Sequence, residues 1–145
     1  MKTLAMILLI SSITIAPLLA AGAESAKTTH RSAIIETLNM GVKSDNDGLR
    51  TSAAVVVKQV IDNSIIKADE FSSLMIPLLR MLENGKTEEE RIAAAVALGS
   101  LDNAIGIYRL RGSAKFDESE KVRSVSKNLY YFYHTEHHST YFLDF

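Results

Sequence analysis

The chain has 145 residues and a formal net charge of -1, a balance that gives no reason to expect nucleic acid or an anionic membrane surface as partner. Hydrophobic residues make up 47% and charged residues 23%, which excludes a largely disordered chain. The absence of cysteine excludes a disulfide framework, a thiolate metal site and a cysteine nucleophile.

The first element is a targeting segment. "MKTLAMILLISSITIAPLLAAGAES" carries Lys2, an apolar run from Leu4 to about Ala20, and the small residues Ala21 and Ala23. That order of basic start, apolar run and small residues is expected of a signal peptide, residues 1–23, cleaved after Ala23. The alternative is an uncleaved anchor, but the run sits at the lower limit for spanning a bilayer and Pro17 interrupts its end. Acylation as a lipoprotein would need a cysteine. The mature chain is expected to be one exported domain, periplasmic or secreted, with no membrane contact after cleavage. A linker over 24–29, a repeat domain over 30–133 and a tail over 134–145 are its expected parts.

The mature chain contains no alternating apolar run bounded by hairpin turns, so no strand is predicted. Helical spacing appears instead. Ile34, Ile35, Leu38, Gly41 and Val42 fall on one stripe, and "NDGLRTSAAVVVKQV" follows from Asn46. "IDNSIIKADE", residues 61–70, extends that helix or forms a longer loop. Phe71, Leu74, Met75, Leu78, Leu79 and Leu82 make the next stripe, in which Pro77 must lie near the first turn or kink the helix. "TEEERIAAAVALGSL" from Thr87 is apolar nearly all round. "NAIGIYRLRGSAKF" is a weaker helix because it holds two glycines. "SEKVRSVSKNLYYFY" from Ser119 is the last.

Three of these segments repeat one another. Each opens with a capping residue (Asn46, Thr87, Ser119), then an acid (Asp47, Glu88, Glu120), and each has an arginine four after the cap (Arg50, Arg91, Arg123). Thr87 with Glu90 also fits a capping box. Positions three, six, seven and ten after each arginine gather on one helical face: Ala53, Val56, Val57 and Val60, then Ala94, Ala97, Leu98 and Leu101, then Ser126, Leu129, Tyr130 and Tyr133. The expected fold class is therefore all-α, a short α-solenoid of three stacked helix pairs. In such a stack a middle helix is covered from several sides, so the segment at Thr87 needs no wet face.

Residues 30–133 resemble HEAT repeats, the armadillo-like helical repeats, in particular the short bacterial type related to bilin-lyase repeats. Ala97-Leu98-Gly99 and Ile76-Pro77-Leu78-Leu79 match the family pattern. The first repeat, with "VVVKQV", departs from it. The resemblance implies a binding scaffold and no particular activity. No residue carries bilin-lyase activity over.

The arginines are expected to be structural, bonding turn carbonyls or acids of an adjacent repeat. The face they leave unused, one, five and eight after each arginine, holds Thr51, Val55 and Lys58, then Ile92, Val96 and Gly99, then Ser124, Asn128 and Tyr131. Val55, Ile92, Val96 and Tyr131 would form an apolar strip for a protein or peptide partner, unless curvature or the tail buries it. His134, Glu136, His137 and His138 are the one constellation with metal-ligand character, His134 and His138 standing one turn apart. Their alternative role is as a solvated helix end. No phosphate loop or nucleophile elbow appears, so no catalytic residue and no cofactor is expected. The tail, Tyr141 to Phe145, folds back over the last helix or serves as an exposed docking end.

Overall fold

A computed structural model describes the backbone of residues 16–137 and the side chains of residues 27–137. The described residues are all-helical: α1 (Ala16–Val42), α2 (Asp47–Asp62), a 3-10 helix (Ala68–Leu74), α3 (Met75–Asn84), α4 (Glu88–Ser100), α5 (Ala104–Phe116) and α6 (Glu120–Glu136). The chain divides into two units, Met1–Ser32 and Ala33–Phe145. In the first, the described residues belong to α1, which passes through residues 24–29, where the sequence suggested a linker. Most of the expected signal segment, and the whole of the tail Tyr141 to Phe145 with His138, lie outside the described residues. Among the described residues no helix is long and apolar enough to cross a membrane.

The second unit is built on α4. It packs against α2, α3, α5 and α6, α3 also packs on α5, and α5 packs on α6. Hence Ala93, Ala94, Ala95, Ala97 and Leu98 are all buried on one helix. Alanine at four of these positions lets four neighbours approach the same cylinder, which explains the nearly all-round apolar character at Thr87. The outer helices of that row are covered on fewer sides. Ala53, Val57 and Val60 are buried as their spacing predicts, but Val56 is 38% exposed, and Leu129 and Tyr133 are only partly buried. The sixth position after the arginine lies at the edge of the core face. It is covered only where a second neighbour flanks the helix, as at Ala97.

The segment 61–70 begins as the last two residues of α2, then turns and enters the 3-10 helix at Ala68. Asn63 caps α2, Ser64 takes a left-handed conformation with φ 54, and Ile66 is driven into the core. Phe71 and Leu74 of the 3-10 helix are fully buried beside it. The predicted helix from Phe71 therefore begins as an α-helix only at Met75. Pro77 becomes its third residue, where its missing N–H leaves no helical bond unmade.

Glycine decides two close approaches. A Cβ on Gly41 would lie 2.7 Å from the Cβ of Ala53, and one on Gly99 would lie 2.9 Å from a Leu129 methyl. The second is a correction to the expected surface position of Gly99, which sits where α4 meets α6.

Candidate interaction face and its arginine brackets

The helix starts of α2, α4 and α6 carry the site. Each cap side chain accepts from the backbone three residues on: Asn46 from Leu49, Thr87 from Glu90 and Ser119 from Val122. Each arginine then turns back on its own turn. Arg50 Nη1 donates to the Ser44 carbonyl at 2.8 Å, Arg91 Nη1 to Gly85 at 2.9 Å, and Arg123 Nη1 to Asp117 at 2.6 Å. In every case the acceptor lies six residues before the arginine. The connecting turn is thereby tied to the helix that follows it.

The other edge of the guanidinium ties one helix start to the next. Arg50 Nε donates to Glu90 Oε1 at 2.5 Å. Arg91 Nε and Nη2 donate to the two oxygens of Asp117 at 3.0 and 3.2 Å. A planar fork suits this double duty, and lysine could make only part of it. The carboxylate comes from different positions: one before the next arginine in Glu90, six before it in Asp117. Where the segment around Arg91 has Gly85 and Glu90, the segment around Arg123 has Asp117 and Val122. The acid has exchanged places while the bond to the preceding arginine is kept. Sequence comparison position by position misses this, because neither acid recurs at the same offset.

Glu90 does not complete the expected capping box. Thr87 Oγ1 accepts from its N–H, but its carboxylate accepts from the Lys86 N–H at 3.0 Å and from Arg50, not from the N–H of Thr87. At 1% exposure Glu90 is one of the few buried charges, and a buried carboxylate needs a cation more than it needs one further amide. A surface link runs beside these brackets. The Ser119 hydroxyl donates to Glu88, which also pairs with Lys121 at 2.9 Å. The hydrogen bond from Ser119 and then that from Lys121 hold the Glu88 carboxyl below its usual range.

With its starts fixed in this way, the row α2, α4, α6 presents the four candidate residues on adjacent helices. Val55 and Tyr131 are each 40% exposed, and Ile92 and Val96 are half-buried. Toward the C-terminal ends of the same helices a cavity of about 470 Å³ opens, with Gly99 and Ser100 of α4 between Lys58 and Asp62 of α2 and Leu129 and Phe132 of α6. Phe132, 66% exposed, was missed by the sequence reading because it lies outside the counted positions.

The histidines sit at the end of α6. His134 packs against Tyr130 and Tyr133, and its buried Nδ1 has no hydrogen-bond partner. Burial and then nearby His137 lower its pKa. His137 Nε2 meets Asp102 at 3.0 Å, joining α6 to the turn after α4. Among the described residues no group of three or more metal-ligating side chains stands together. The same end holds a cavity of about 400 Å³ between Tyr108, Tyr130 and Tyr133. No family model, curated protein or solved structure matches this chain.

Proposed function

We propose that the chain is an exported, non-catalytic protein-interaction scaffold, a short α-solenoid of three HEAT-like helix pairs acting in the periplasm or after secretion. Its partner is a protein or peptide that lies along Val55, Ile92, Val96 and Tyr131. The observation that carries this reading is the partial exposure of all four side chains on three adjacent helices whose starts are fixed by repeated arginine brackets. A rigid row with an apolar surface suits docking of an extended or helical segment. The test is replacement of Ile92 and Val96 by serine. Loss of partner capture from an envelope extract, with the melting temperature unchanged, supports the strip, whereas a large fall in melting temperature makes these side chains core.

A second reading, metal binding through the C-terminal histidines, is favoured by the unpartnered Nδ1 of His134. Metal analysis of the purified chain decides it. Stoichiometric zinc or copper, lost on His134→Ala, would replace the first reading.

A further inference from the structure

A cavity of about 560 Å³ lies between the end of α1 and the outer face of α3, apart from the strip on α2, α4 and α6. Its apolar wall is Val42, Ile76, Pro77 and Met81, and Ile76 is 57% exposed. The pair of half-buried Arg50 and buried Glu90 lines it as well, and Arg50 also meets Asp47, outside the lining, at 2.5 Å. Two more cations, Lys43 and Arg80, line the cavity, both exposed, and neither has an ion-pair partner among the described residues. Glu90 is the sole acid in the lining, so the cleft carries an excess of two positive charges around an apolar wall. Its volume is within the range of ligand-sized sites.

Long cationic side chains beside an exposed isoleucine accept one kind of occupant. An apolar side chain removes Ile76 and Met81 from water, and carboxylates on either side of it meet Lys43 and Arg80. A basic segment would be repelled, and an uncharged one would leave both cations unanswered. We propose that this cleft binds an acidic peptide segment that places an aliphatic side chain between two carboxylates.

The test uses the full chain and three fluorescein-labelled hexapeptides, read by fluorescence anisotropy. One alternates glutamate with leucine, one alternates lysine with leucine, and one alternates glutamate with serine. The glutamate–leucine peptide is expected to bind best, and to bind more weakly as salt is raised. Charge reversal in Lys43→Glu/Arg80→Glu should weaken it about tenfold with no change in melting temperature, since both side chains are exposed. Ile76→Ser should weaken it without altering the salt dependence. Equal binding of the lysine–leucine peptide, or undiminished binding to the charge-reversed variant, overturns the proposal. So does binding to anionic phosphatidylglycerol vesicles with none to the peptide.

Discussion

The Arg91 guanidinium and the Asp117 carboxylate meet in a two-pronged pair, 3.0 and 3.2 Å, although 26 residues separate them. Both groups are almost wholly buried, at 9% and 8% side-chain exposure. Asp117 also accepts from the N–H of Ser119 at 2.8 Å, so one carboxylate joins the start of α4, the end of α5 and the cap of α6. Pairing at this depth makes each partner conditional on the other.

Removing either partner alone should therefore be costly. Arg91→Ala is expected to destabilise by about 3 kcal/mol, because it leaves the buried Asp117 carboxylate without its cation. Asp117→Ala should cost less, about 2 kcal/mol, because the exposed Glu118 still meets Arg91 Nη2 at 3.1 Å. The double variant should cost less than the sum. Urea unfolding of the four proteins forms the cycle, and additive losses would mean that the pair carries no coupling.

Glu90 offers a sharper discrimination. In a capping box, Glu90→Gln would change little, since glutamine serves there as well as glutamate. Buried itself and bonded to Arg50, it should cost about 2 kcal/mol when replaced, whereas Thr87→Ala should cost about 1 kcal/mol. Thermal melts of the two variants settle the order.

Two glycine substitutions should have opposite signs. Gly41→Ala sets a Cβ against the Cβ of Ala53, which cannot rotate away, so α1 and α2 must separate. A loss of about 1–3 kcal/mol is expected. Gly112, within α5, has nothing within 4 Å of the added atom, so Gly112→Ala should gain about 0.5–1 kcal/mol from helix propensity. Chemical denaturation reads both.

Acid should loosen the α6 region in two windows. His134 has a lowered pKa in the fold, so the unfolded chain takes up the proton first. The contribution of neutral His134 is present above about pH 6.5 and is lost as pH falls below it. Glu88 is also lowered in the fold, by Ser119 first. Its contribution is present above the ordinary carboxylate range and is lost as pH falls through that range and below it. His134→Gln should flatten the melting temperature between about pH 7 and 5, and Glu88→Gln should flatten the lower window. A profile unchanged in both variants would place the acid sensitivity elsewhere.

The sequence by itself determined α2, α4 and α6 and their starts. Asn46, Thr87 and Ser119 act within three residues of themselves, as do the propensities and spacings that make α2, α4 and α6. The arginine's bond to the carbonyl six residues back is equally local, and the repeat made it legible. Buried positions three and seven after each arginine also followed from spacing, because they face the middle of the core wherever the helix sits in the row. Tertiary structure alone decided the rest. Val56 and Ala97 share an offset but not a burial, since coverage at the edge of a face depends on how many neighbours a helix has. Glu90 left its expected cap for Arg50, and Asp117 took up Arg91 from a different offset. A buried guanidinium requires a carboxylate within reach but leaves open which stretch of chain delivers it. The cleft likewise draws its lining from the end of α1, from α2, α3 and the start of α4, stretches far apart in sequence that only the fold brings together.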